Sequence, residues 1–257
     1  MPEMSEYAKK LGELDAALDA AFPETADIET SSDDYAARFS GPTGEWMLAV
    51  QEKITLDFLK SRPDATILDV GGGHGQLAVP LCRGGFKVTV LSSAESCRKR
   101  IAEIVDSGKC AFKVGNVIDL PFPDKSFDVV IAFRMLTHCQ QWSVLVKELC
   151  RVAKTTVIVD YPTSQSVNMI APALFDAKKK IEKDTRRWTL FKHTEVRAEF
   201  EKNGFSLARQ KKQFFLPMVL HRALKFRTLS GVLEGLCRAF GLTALGGSPV
   251  IVEMKRK

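Results

Sequence analysis

The sequence predicts an α/β fold built on a doubly wound parallel sheet, and three observations carry that prediction. Short β-branched and aliphatic runs alternate with helical spacings between residues 65 and 160. The run Thr66-Ile67-Leu68-Asp69-Val70 ends in Gly71-Gly72-Gly73-His74-Gly75, which reads as a buried strand stopping in a tight turn before a helix. Glycine suits that turn because it permits positive φ and because backbone amides approach a ligand closely where no Cβ intervenes. Finally, 257 residues that are 45% hydrophobic and 26% charged suffice to bury a full core in one domain with elaborations.

The elements follow in order. Leu11, Leu14 and Leu18 give residues 3–21 a helical stripe that breaks at Pro23. Ser31-Ser32-Asp33-Asp34-Tyr35 is polar and reads as a helix start. Trp46, Val50, Ile54, Phe58 and Leu59 form the apolar face of a second long helix over 42–60. Residues 1–62 are thus expected to be an N-terminal helical cap and residues 63–257 the main domain. The first strand spans 65–70, and a helix over 76–83 follows the glycine turn and stops at Gly84-Gly85. Pro80 would cost about 3 kcal/mol in a helix interior, which predicts a kink or an early-turn position for it.

Further strands are expected at 86–91, 111–114, 129–133 and 155–159, with helices over 94–105 and 142–152. A helix over 172–188 carries Lys178, Lys179, Lys180, Lys183, Arg186 and Arg187. Thr194 is read as the N-cap of a helix ending at Asn203-Gly204. A sixth strand over 205–216, a helical insertion over 217–247 and a last strand over 248–253 complete the chain.

Charge is distributed unevenly. Residues 1–171 hold 18 Lys+Arg against 23 Asp+Glu, a net −5, whereas residues 172–257 hold 19 against 8, a net +11. The basic character therefore belongs to the C-terminal third, where it could attract nucleic acid, an anionic membrane surface or an acidic metabolite, or simply keep helices soluble. The six cysteines form no C-x-x-C pair and have no histidine at metal spacing, so reduced, mostly buried thiols and no metal site are expected. No run approaches the roughly 18 apolar residues of a membrane span, and the first residues lack a basic flank and an apolar signal core, which predicts a cytoplasmic protein.

The spacing of Gly71, Gly73 and Gly75, with Gln76 next, departs from the G-x-G-x-x-G dinucleotide fingerprint. Asp69-Val70-Gly71-Gly72-Gly73-His74-Gly75 instead resembles the D-x-G-x-G-x-G motif of class I S-adenosylmethionine-dependent methyltransferases. A second block, from Gly115-Asn116 through Leu120-Pro121-Phe122-Pro123-Asp124 and Phe127-Asp128-Val129-Val130 to Leu136-Thr137-His138, resembles that family's GD-x-x-x-LPF-x-x-x-x-FD-V-V stretch. Two blocks in the right order, covering about residues 64–160, are more specific than a glycine loop alone. The variety most similar is the type-11 group, which includes the ubiquinone and menaquinone C-methyltransferases. The resemblance implies a seven-stranded Rossmann-like methyltransferase sheet with an antiparallel last strand.

It also implies S-adenosyl-L-methionine as cofactor, held by particular residues. Gly71 and Gly73 would pack against its methionine part, with Asp69 ordering the turn. Asn116 would bind the adenine amino group and the Val117 amide a ring nitrogen, while Phe133 and Arg134 would border the sulfonium and carboxypropyl region. Such a cap often supplies a Tyr or Arg to the cofactor carboxylate, which singles out Tyr35 and Arg38. One position departs from the family: the acid that usually holds both ribose hydroxyls is replaced by Ser92-Ser93, although Ser92, Ser93 or Glu95 could accept a hydroxyl.

Methyl transfer is an in-line displacement, so alignment and exclusion of water dominate and a dedicated base is optional. His138 is the candidate base, with a hydrogen-bonded structural histidine as the competing reading. Asp160 and Tyr161 point to the crevice where open sheets bind ligands, Tyr161 as a candidate to orient the acceptor, and His193 is a weaker candidate for touching substrate. The insertion surrounds Leu220, Leu224, Val232, Leu233, Leu236 and Phe240 with basic residues, which suits packing on the sheet, a lid over an apolar substrate or peripheral contact with an anionic membrane. The expectation is methyl transfer to a small-molecule, apolar or lipid-like acceptor. Its alternatives are a non-catalytic cofactor-binding module, prompted by the missing ribose acid, and a nucleic-acid methyltransferase, prompted by the basic C-terminal third.

Overall fold

A computed structural model describes residues 22–166 and 188–257. The expected helix over 3–21, and all but Trp188 of the basic helix over 172–188, lie outside the described residues. Three helices lead in: α1 (Ala26–Thr30), α2 (Asp33–Ala37), which Ser32 caps by accepting from the Tyr35 amide at 3.2 Å, and α3 (Gly41–Leu59). There follow β1 (Thr66–Val70), a 3-10 turn at Gly72–His74, α4 (Ala78–Arg83) and β2 (Lys87–Ser92). A 3-10 segment at Glu95–Ile101 runs into α5 (Ala102–Asp106), then β3 (Cys110–Val114), β4 (Phe127–Ala132), α6 (Trp142–Val152) and β5 (Ala153–Tyr161). The chain closes with α7 (His193–Lys202), β6 (Phe205–Phe214), α8 (Met218–Leu224), α9 (Arg227–Ala239), α10 (Leu242–Gly246) and β7 (Ser248–Arg256).

The strands form one seven-stranded sheet in the order β3-β2-β1-β4-β5-β7-β6. Neighbours from β3 to β5 are parallel, whereas β7 is antiparallel to both β5 and β6. The central strands are buried on both sides: Leu68, Val70, Val130 and Ala132 join one apolar layer, and Ile67, Val90, Ile131 and Ile158 the other. The strand order reverses between β1 and β4, so the loops after these two strands diverge and open a crevice at their carboxyl ends. At the opposite end Asp128 stitches β4 to β1, accepting from the Thr66 amide at 2.8 Å and its hydroxyl at 2.6 Å; these bonds hold its carboxyl near 2.

Several local expectations shift. The helix after the glycine turn starts at Ala78, because the glycines themselves wind into the 3-10 turn, and this leaves Pro80 in the first turn of α4. The expected helix over 94–105 begins as a 3-10 segment. Lys192, not Thr194, caps α7, since the Glu195 side chain reaches back to the Lys192 amide at 3.0 Å and starts the helix two residues early. The last strand runs on to Arg256, paired on both sides.

Candidate functional site

The glycine turn sits at the switch point. Gly71 has φ +76°, and a Cβ there would strike the Met135 thioether. One on Gly73 would stand 2.5 Å from the Cys97 carbonyl oxygen and 2.6 Å from the Ser31 hydroxyl. Gly71 is thus demanded by the turn after β4, and Gly73 by the close approach of the end of α1 and of the segment after β2. Beside them lies a narrow, half-open cleft lined by Thr30, Asp69, Gly71, His74, Gln76 and Arg134.

One network spans the cleft floor. The Arg134 amide donates to Asp160 at 2.5 Å, and the Gln51 side chain donates to the other carboxylate oxygen at 3.2 Å. The Gln76 amide nitrogen donates to Gln51, and the Arg134 guanidinium donates to Gln76. Arg134 itself has φ +62°, a left-handed turn that carries its side chain to the rings of Tyr35 and Phe39. Its guanidinium lies 4.6 Å from the ring centre of Phe39 and 5.3 Å from that of Tyr35.

The titrating groups here are shifted mainly by burial. Asp69 is pushed up to about 7, with Arg134 pulling against the shift, and Asp160 up to about 6, against the bond from the Arg134 amide. His74 is pushed down to about 3 by burial and by the charges of Arg134 and Arg100. Its ring sits edge-on to Tyr35 and Phe39, and both ring nitrogens are buried with no hydrogen-bond partner among the described residues. The buried hydroxyls of Ser92 and Ser31 are likewise unpartnered. Unpartnered buried polar atoms also occur elsewhere among the described residues, on Ser126, Gln213 and Thr243, and of the three residues here only His74 lines the cleft.

The departure at the end of β2 has a structural counterpart. Asp27, delivered by α1 and fully buried, accepts from the Ser93 amide at 2.6 Å and from its hydroxyl at 2.5 Å. Burial raises its carboxyl above the ordinary range, and the Ser93 bonds oppose the shift. Glu95 does not reach back; it is exposed and pairs with Arg98 at 3.9 Å. At the far end of β3, the Asn116 side-chain oxygen accepts from the Ile118 amide at 3.1 Å and keeps its second lone pair. Val117 is buried beneath it. The Leu120-Pro121-Phe122 stretch is clasped to α6: Glu148 accepts from the Leu120 amide, and Arg151 donates to the Leu120 and Phe122 carbonyls, each at 2.8 Å.

The remaining candidates fall into separate groups. Tyr35 joins the cleft, whereas Arg38 lies against the Tyr35 ring and 4.0 Å from Glu29. Phe133 is buried and lines the cleft beside Arg134. Tyr161 and His193 come together, hydroxyl to Nδ1 at 3.0 Å; burial raises the phenol, while burial and Lys212 lower the imidazole. His138 occupies the turn after β4, with its amide bonded to the Met135 carbonyl. Asp27, Gln51, Gln76 and His74 escaped the sequence reading. His74 and Gln76 lie in or beside the glycine motif and were open to notice there, but nothing local marks Asp27 or Gln51.

Residues 68–159 match the family model described as Methyltransferase domain. That stretch is similar to a methyltransferase domain. It holds the last three residues of β1, the glycine turn, the Asn116 loop and most of β5. The chain is 38% identical over 94 residues to a Synechocystis 2-methyl-6-phytyl-1,4-hydroquinone methyltransferase, covering 36% of this chain and 30% of that protein. It is 31% identical over 107 residues to a ubiquinone biosynthesis O-methyltransferase of Xanthomonas oryzae pv. oryzae, covering 39% and 45%. The chain thus spans less than half the length of these relatives. The fold extends further: a Synechocystis magnesium protoporphyrin IX methyltransferase with SAH bound superposes with a TM-score of 0.60 at 16% identity, covering 88% of this chain and 93% of that one. Among the described residues, no group of three His, Cys, Asp or Glu side chains is placed to hold a metal ion.

Proposed function

We propose that this chain transfers a methyl group from S-adenosyl-L-methionine to a small, apolar acceptor. In this reading residues 1–62 are a helical cap on a methyltransferase domain of residues 63–257. The observation that carries it is the glycine turn of the stretch that matches the methyltransferase model, set beside Arg134 at the switch point of the sheet. The cofactor supplies an electrophilic methyl on a sulfonium, and the protein's part is to bind, orient and exclude water.

In that role Gly71 and Gly73 let the backbone approach the methionine moiety, and Arg134, steadied by Gln76, faces its carboxylate. Asp69 braces the turn, and the aromatic lid of Tyr35 and Phe39 shuts out water. Asn116 and Val117 take the adenine. Asp27 stands in for the missing acid, since it places a carboxylate on Ser93 at the strand end where the family keeps one. Tyr161, tied to His193, orients the acceptor, and His138 is the base where the acceptor must lose a proton. The apolar acceptor is favoured by the hydroquinone and ubiquinone methyltransferases among the relatives.

Calorimetry with S-adenosylhomocysteine and a methylation assay on a panel of quinols and phenols form the test. Micromolar binding together with turnover of one quinol is expected, and no binding defeats the reading. Ser92, where the family has an acid, favours one second reading, a module that binds the cofactor without turnover; binding with no acceptor methylated across the panel would select it.

A further inference from the structure

The helical insertion leaves the sheet at the same end as the cleft. β6 ends at Phe214 opposite Ser248 of β7, while Tyr161, the end of β5, pairs with Val250. The insertion is anchored from within. Glu234 of α9, fully buried, accepts from the Phe215 amide at 3.0 Å, the Leu216 amide at 2.8 Å and His221 Nε2 at 3.1 Å. Trp46 of α3 packs on Phe214 and His221 with ring centres 5.2 and 5.4 Å away.

This anchoring turns α9 inside out. A surface helix of a soluble protein buries its apolar stripe and exposes its charges. In α9 the acid faces inward and the apolar stripe faces out: Leu229, Val232, Leu236 and Phe240 recur at helical spacing and are 45–76% exposed. Phe226 before the helix and Leu245 in α10 extend the surface, at 70% and 76%. A contiguous exposed patch of large aliphatic and aromatic side chains marks an interaction site. Its charge selects the partner. Residues 217–247 contain four basic residues, Arg222, Lys225, Arg227 and Arg238, and their one acid is the buried Glu234. The exposed charge is wholly positive, and Leu and Phe beside Arg and Lys with no exposed acid is the composition of a helix that lies in an anionic membrane interface.

We propose that α9 and its flanks dock this protein on an anionic lipid bilayer, with the stripe of Leu229, Val232, Leu236 and Phe240 in the acyl boundary and the basic side chains at the headgroups. No described helix is long and apolar enough to cross a membrane, so the contact is peripheral. The docked face stands at the carboxyl end of the sheet, the end that holds the cleft. The inference rests on the surface alone and holds whether or not the cleft takes the proposed cofactor.

The test is sedimentation of the full chain with phosphatidylcholine vesicles, with and without phosphatidylglycerol, alongside the double variant Leu236→Ser/Phe240→Ser and the pair Lys225→Gln/Arg227→Gln. Binding is expected to the anionic vesicles, falling with added salt, and to drop at least about tenfold in the apolar variant and several-fold in the basic one. Circular dichroism melts and S-adenosylhomocysteine affinity should stay at wild-type values in both variants, which separates docking from folding and from the cofactor site. No binding to anionic vesicles at low salt, or equal binding by the apolar variant, would overturn the proposal. So would a stable wild-type dimer by light scattering that the apolar variant dissolves, since the face then belongs to a second copy of this chain.

Discussion

Two acids decide how the cleft behaves. Asp27 gives its carboxylate to Ser93 from a separate segment of the chain, and Asp27→Asn keeps the shape while removing the charge. The expected result is a roughly 10–100-fold loss of S-adenosylhomocysteine affinity, the size of a charged hydrogen bond, read by calorimetry. Unchanged or tighter binding would mean that Asp27 merely latches α1 to the segment after β2. Asp69 makes a prediction about stability. Burial lifts its carboxyl from the usual 3.8 to about 7, so between those values the folded state holds a proton that the unfolded chain has released. This contribution is complete below about pH 3.8 and is lost as pH rises through 7. Asn does not titrate, so the melting temperature of Asp69→Asn should gain on wild type from pH 4 to 7 and level off above. The slope is at most about 1.4 kcal/mol per pH unit. A difference that stays flat across that range would show Asp69 ionised in the fold.

The elements divide into those whose sequence states their purpose and those whose purpose comes from neighbours. The glycine turn is legible because Gly71 adopts positive φ and Gly73 meets a backbone oxygen, restrictions that leave a visible trace in composition. The Leu120-Pro121-Phe122 stretch is equally visible, yet its role here is mechanical, a loop pinned by Glu148 and Arg151. The insertion shows basic and apolar residues in sequence, but not which side faces out. That choice belongs to Glu234, whose carboxyl stays below its usual range although burial pushes it up, because the bonds from His221, Phe215 and Leu216 outweigh burial. Glu234→Ala strands these buried donors. It should cost about 3 kcal/mol and speed amide exchange at Phe215 and Leu216, and wild-type exchange there would contradict the anchoring role.

At the scale of the whole molecule, the parts of the site arrive from distant points of the chain because the sheet order reverses between β1 and β4. The reversal sets the glycine turn beside Phe133 and Arg134, and it aims the ends of β2 and β5 at the same space. Alternating strands and helices were enough to read the α/β class, which depends on local propensity; the antiparallel last strand followed from the family resemblance, and the motifs marked Asp69, Gly71, Phe133 and Arg134 of the cleft but not Thr30, His74 or Gln76. Sequence alone did not show that Asp27 answers the missing acid 66 residues away, that Gln51 and Gln76 tie Arg134 to Asp160, or that α9 turns its apolar face outward. Those are contacts between segments far apart in the chain, and only the packing of the folded protein brings them within hydrogen-bonding distance or leaves them bare.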